Sequence, residues 1–155
     1  MNSLSPIWLV EDSADDIELT LAALECIHLA NRVIVMRDGS EVIDRLKACT
    51  GADSLPAVIL LDIKMPRVSG IEVLRSIKSD RCLQNLPVVM LTSSRQGPDL
   101  AECYLLGANA YVVKPVESAA FIDAVTTVGK FWAVVNERLK AGGICEVDHA
   151  YLAGK

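Results

Sequence analysis

No apolar run in this chain approaches the roughly 18 residues that a membrane span needs, although 52% of its 155 residues are hydrophobic and the mean hydropathy is +0.35. The excess must lie in a buried sheet or at a partner surface. Met1 to Pro6 lack the charged-then-apolar order of a secretory signal. Basic residues are outnumbered, with 15 Lys and Arg against 20 Asp and Glu, and a net charge of −5 argues against a nucleic-acid surface. The five cysteines (Cys26, Cys49, Cys82, Cys103, Cys145) include no CxxC pair. Buried or idle thiols in a reducing cytoplasm are therefore expected. His28 and His149 have no partner motif, so neither is expected as a base or a metal ligand. Repeats, low-complexity tracts and interior linkers are also missing. The length suits one domain over residues 1–141, burying roughly two thirds of its unfolded surface, with a tail over 142–155 too short for a second domain.

What is present is a regular alternation. Short apolar runs at Ile7–Val10, Val33–Met36, Ala57–Leu61, Pro87–Leu91 and Ala110–Val113 read as strands. Val58-Ile59-Leu60-Leu61 has no polar residue at all, the mark of a strand buried on both faces. Between the runs lie helical patterns. One is expected to be capped by Ser13, with Asp16 completing a capping box, and to run to about Leu29. A second is expected to be capped by Ser40 and to end near Ala48. Others are expected over Ile71–Ser79, from Pro98 to a stop at Gly107, and from Ser118 to about Leu139. Strands alternating with helices imply a parallel α/β sheet, doubly wound, with right-handed crossovers.

Four of the strands end in polar residues: Glu11-Asp12, Asp62, Thr92 and Lys114. In a parallel sheet those ends share one rim, where open α/β sheets place their ligands. Three carboxylates brought together repel and favour partial protonation unless a cation joins them. Mg²⁺, which takes carboxylate oxygens, carbonyls and waters, suits such a cluster. An ammonium at Lys114 and a hydroxyl at Thr92 could donate to an anionic oxygen opposite. The combination suits phosphoryl transfer onto a carboxylate.

These residues resemble the receiver domains of two-component response regulators. The resemblance is carried by Glu11-Asp12, Asp62, Thr92, Lys114-Pro115 and Tyr111, with the Met65-Pro66-x-x-x-Gly70 loop, and covers residues from about 7 to 139. It implies a flavodoxin-like fold and phosphorylation of Asp62 by a histidine kinase. It further implies Mg²⁺ held by Glu11, Asp12, Asp62 and the Lys64 backbone carbonyl, with Thr92 and Lys114 holding the phosphoryl group. Tyr111 would act as a switch aromatic with Thr92, and a cis peptide would join Lys114 to Pro115. The runs Leu29-x-Asn31-Arg32-Val33-x-Val35 and Val88-Val89-Met90-Leu91-Thr92-Ser93-Ser94-Arg95 look like the stand-alone regulators paired with bacterial phytochrome kinases. A helix bearing Phe131-Trp132 and Asn136 fits the same group.

The plainer readings compete residue by residue. Thr92 alone could be a strand residue or a cap, Lys114 alone a surface lysine, and Tyr111 an ordinary strand aromatic. A phosphatase with an aspartyl nucleophile would need an acid two residues after Asp62, where Lys64 stands. A flavin domain would want a phosphate loop where Glu11-Asp12 would repel it. A receiver-like interaction module that is never phosphorylated stays open. In the last helix Phe121, Val125, Val128, Trp132, Val135 and Leu139 step by four and three like a heptad seam, with Phe131 beside them. At about 33 Å that helix would outrun the domain, so a homodimer through it is expected, with the tail reaching across.

Overall fold

The computed structural model describes residues 4–49, 55–93, 97–114 and 119–135. Strands β1 (Ile7–Val10), β2 (Val33–Met36), β3 (Val58–Asp62), β4 (Val88–Thr92) and β5 (Ala110–Val113) form one parallel sheet in the order β2-β1-β3-β4-β5. Helices α1 (Ala14–Glu25), α2 (Gly39–Ala48), α3 (Gly70–Ser79), α4 (Gly97–Leu105) and α5 (Ala119–Lys130) alternate with them. The expected doubly wound α/β architecture is therefore what the chain adopts.

Each strand divides its side chains between two layers because strand residues alternate in direction. Ile7, Leu9, Val58, Leu60, Val89 and Leu91 pack against Ile17 and Leu24 of α1 and Phe121 and Val125 of α5. Trp8, Val10, Ile59, Leu61, Val88 and Met90 meet α2, α3 and Cys103 of α4. β3 lies in the middle and every one of its residues is buried. Burying each aliphatic side chain there contributes about 1.5–3 kcal/mol, which makes β3 a firm base for the aspartate at its tip.

Several helix starts and ends differ from expectation. The N-cap of α2 is Asp38, not Ser40; its carboxylate accepts from the Ser40 backbone N–H at 2.8 Å and from the Ser40 hydroxyl at 2.9 Å. A carboxylate satisfies two donors at once, and it also pairs with Arg67 at 2.6 Å. α1 stops at Glu25 rather than near Leu29, because His28 takes a positive φ of 51° that a helix cannot contain. α5 gives way after Lys130 to one wider turn over Phe131–Val135, and residues 136–155 lie outside the described part. Cys26, Cys49 and Cys103 keep their thiols, but Cys82 is disulfide-bonded. Spacing along the chain does not reveal which sulfurs meet in space.

Two details set the floor and the lip of the sheet. Near the amino ends of β4 and β5, the Lys78 ammonium donates to the carbonyls of Gln84 (2.9 Å) and Leu86 (2.8 Å) and to Asn109 Oδ1 (3.2 Å). The same Asn109 oxygen accepts from the Val88 N–H at 2.9 Å. At the opposite rim, Gly70 opens α3 directly against the backbone at the end of β3. Its N–H donates to the Ile63 carbonyl at 2.9 Å, and a Cβ there would stand 2.1 Å from the Asp62 carbonyl oxygen. Ser69 and Glu72 complete a capping box around this start.

Backbone cannot yield as a flexible side chain can, so Gly70→Ala is expected to destabilise the chain by at least the ~1–3 kcal/mol of a typical overpacked site. Urea denaturation reads this directly, and an unchanged midpoint would show that α3 can slide away from Asp62.

Candidate functional site

The rim of the sheet brings together the residues singled out in sequence. β1 and β3 are paired so that Val10 lies beside Leu61, which sets Glu11 alongside Asp62. β3 and β4 pair Asp62 with Leu91, so Thr92 comes one step further along the same rim. Thr92 in turn lies beside Val113, and its carbonyl accepts from the Lys114 N–H at 2.7 Å. Ligand oxygens of Glu11, Asp12 and Asp62 all lie within 4.8 Å of one another. Glu11 and Asp62 are buried and Asp12 is exposed.

Among the described residues one ammonium serves this group. Lys114 Nζ lies 2.6 Å from Glu11 Oε2, 2.6 Å from Asp16 Oδ2 and 3.8 Å from Asp62 Oδ1. Burial works against its charge, but the hydrogen bonds to Asp16 and Glu11 outweigh burial and hold its pKa above the ordinary value. Asp62 responds in the opposite sense. Burial first, then the neighbouring charge of Glu11, push its carboxyl up to about 7, against the pull of Lys114. Lys114 alone is therefore too little positive charge to hold Asp62 ionised at its ordinary pKa. A donor set of close-packed carboxylate oxygens, with Asp12 exposed, fits a hard divalent cation such as Mg²⁺.

The expectation for Asp16 needs correction. Ser13 Oγ does accept from the Asp16 N–H at 3.4 Å, but the Asp16 carboxylate goes to Lys114 instead of closing the box. The Ser13 N–H is taken by Glu11 Oε1 at 3.2 Å. An ammonium outcompetes a backbone amide for a carboxylate. Asp16 is thus a site residue that spacing assigned to a cap, and only the position of Lys114 in three dimensions could have revealed it.

The remaining candidates divide. Tyr111 lies on the layer beside Met90 and is half-buried, packed against that core. The Lys64 side chain is exposed in the loop after β3. Phe121 and Val125 are each only 1% exposed and sealed against the sheet, so as interface residues they are corrected to core. Val128 and Trp132 pack partly on the same layer. A seam that steps by four and three is what the sheet-facing side of a helix also requires, which is why the pattern misled. Phe131 is 45% exposed and meets Trp132 edge-on at 4.9 Å between ring centroids. The side chain of Val135, the Lys114–Pro115 peptide, Ser94, Asn136 and the tail lie outside the described residues.

A family model described as the response regulator receiver domain matches residues 7–126. The chain belongs to that receiver family. Among solved structures it is similar to the bacteriophytochrome response regulator AtBRR, at 52% identity over 86% of this chain and 99% of that one, with a TM-score of 0.67. The phosphorylated cyanobacterial phytochrome response regulator RcpA is 34% identical, covering 86% and 97% of the two chains, with a TM-score of 0.77. Response regulator Rcp1 of Synechocystis sp. is 33% identical over 128 residues, 81% of this chain and 87% of that one. The Mn(2+)-bound form of Rcp1 covers 87% of this receiver at 31% identity, and 99% of its own chain, with a TM-score of 0.76. The chain thus stands with the phytochrome-associated receivers, as its sequence runs implied. Among the described residues no helix is long and apolar enough to cross a membrane.

The charge imbalance makes stability depend on pH in a predictable sense. With its pKa raised above the unfolded value, Asp62 binds more protons folded than unfolded between pH 4 and 7, so stability falls as pH rises through that window. In EDTA the loss attributable to Asp62 is expected to be on the order of 4 kcal/mol at most, to be missing in Asp62→Asn, and to be recovered by Mg²⁺ at pH 7. Urea midpoints measured at successive pH values, with and without the metal, test it.

Proposed function

We propose that this receiver accepts a phosphoryl group on Asp62 from a histidine kinase and uses it to switch a protein–protein surface. The observation that carries the reading is the convergence on Asp62 of two further carboxylates and the Lys114 ammonium at one sheet rim. Mg²⁺ held by Glu11, Asp12, Asp62 and the Lys64 carbonyl would supply neutralising charge for the phosphoryl oxygens and keep Asp62 ionised. The Asp62 carboxylate oxygen forms the new bond to phosphorus as the phosphorus–nitrogen bond of the donor histidine breaks and its electron pair returns to the imidazole. Lys114, already 3.8 Å from Asp62 Oδ1, is within a short swing of a new equatorial oxygen.

The signal then leaves through β4 and β5. Thr92 is buried at the end of β4 and would be drawn toward the phosphoryl group. Tyr111, half-buried one strand away, would follow it inward and alter the face made by α4, β5 and α5. That is a population shift biased by new phosphate contacts. Tyr104 and Leu105 of α4 are exposed on their helix, which suits a surface read by another protein. The similarity to phytochrome-associated regulators supports a bacterial phytochrome as the kinase, and so red or far-red light as the input. A homodimer is proposed on α5 and the wider turn that follows it, where Ile122, Phe131 and Val134 are exposed, and no longer on Phe121 or Val125.

Incubation with Mg²⁺ and a small-molecule phosphodonor is expected to add one phosphoryl group by intact mass, and Asp62→Asn to abolish it. No modification at all would reduce the chain to an interaction module, and modification that survives that substitution would move the acceptor off Asp62. Lys114→Met is expected to slow the reaction by on the order of 10²-fold, the effect of deleting one donor to a developing anion. For the dimer, Phe131→Glu should weaken association while changing stability by no more than about 0.5 kcal/mol. Sedimentation at micromolar concentration decides this, since a monomer both before and after phosphorylation has no such interface.

A further inference from the structure

We infer that Asp16 is a positioning residue that holds the Lys114 ammonium off the acceptor in the unphosphorylated state and competes with the phosphoryl group for it. The inference rests on the reading of Asp62 as phosphoacceptor. Asp16 lies in the first turn of α1, beyond the cluster of Glu11, Asp12 and Asp62 that suits a metal. Its carboxylate nevertheless reaches the same lysine at 2.6 Å, as close as Glu11 and more than an ångström closer than Asp62. The Asp16 side chain is 27% exposed, against 2% for Glu11, so it marks the outer wall of the site.

An ammonium has only three N–H groups, and two of them already point to Glu11 and Asp16. When Glu11 turns to a divalent cation, Asp16 becomes the remaining close carboxylate for Lys114. A phosphoryl group on Asp62 must then draw the lysine across against that attraction. The helix gains nothing that requires this contact: the Asp16 N–H is capped by Ser13 whatever its carboxylate does. Asp16 would thus set how strongly the site holds a phosphoryl group without touching that group or the metal.

The test uses the full chain at saturating Mg²⁺ with beryllofluoride as the phosphoryl mimic, its affinity followed by titration calorimetry. Asp16→Asn is expected to tighten binding about two- to fivefold, the range of a partly exposed ion pair, and Asp16→Glu to restore the original affinity. In a Lys114→Gln background the gain from Asp16→Asn should disappear. A gain that persists there would mean that Asp16 acts only through overall charge, and would overturn the inference. An unchanged affinity in Asp16→Asn with a lowered melting temperature would leave it a helix-start residue and overturn the inference alone. If the unaltered chain binds no beryllofluoride, the phosphoacceptor reading falls and this inference falls with it.

Discussion

Too many carboxylates around too few cations is the constraint on which this molecule turns. Glu11, Asp16 and Asp62 surround one ammonium with Asp12 beside them, and Glu11 and Asp62 are buried. Removing charges from water is costly unless they are paired. The fold meets part of that cost with Lys114 and leaves the rest as a raised pKa on Asp62. Such an unbalanced site is poised toward what neutralises it, a divalent cation. A cation there would offset the repulsion from Glu11 and let Asp62 give up its proton. Destabilisation at the rim is made tolerable by the two apolar layers beneath it, where the strands supporting the site are buried along their length.

Much of this was legible in the residues themselves. An unbroken aliphatic run ending in Asp62 can only be an interior strand, and polar residues at the ends of parallel strands must meet. Glu11, Asp12, Thr92 and Lys114 were found because topology makes sequence-distant strand ends neighbours. Asp16 was missed for a physical reason. An acid three residues after a serine has two possible partners, a local amide and a remote cation, and the sequence shows only the local one. Asp38 was passed over in favour of Ser40 as the cap, although a carboxylate can take both the Ser40 amide and hydroxyl.

The last helix shows where periodicity loses its power. Positions stepping by four and three describe both a helix lying on a sheet and a helix lying on another helix. Phe121 and Val125 belong to the first arrangement. What the pattern could not say is which side is left over, and the exposed Ile122, Phe131 and Val134 are found only once the sheet is in place.

The Lys78 staple has a consequence for how this sheet can move. By gathering the Gln84 and Leu86 carbonyls and Asn109 at one end, it pins β4 and β5 together where they begin. Thr92 and Lys114 stand at the other end of the same two strands. The ladder continues to those tips, where the Thr92 carbonyl still accepts from the Lys114 N–H at 2.7 Å. Fastened at both ends, β4 and β5 are held to answer a displacement at the rim as one unit.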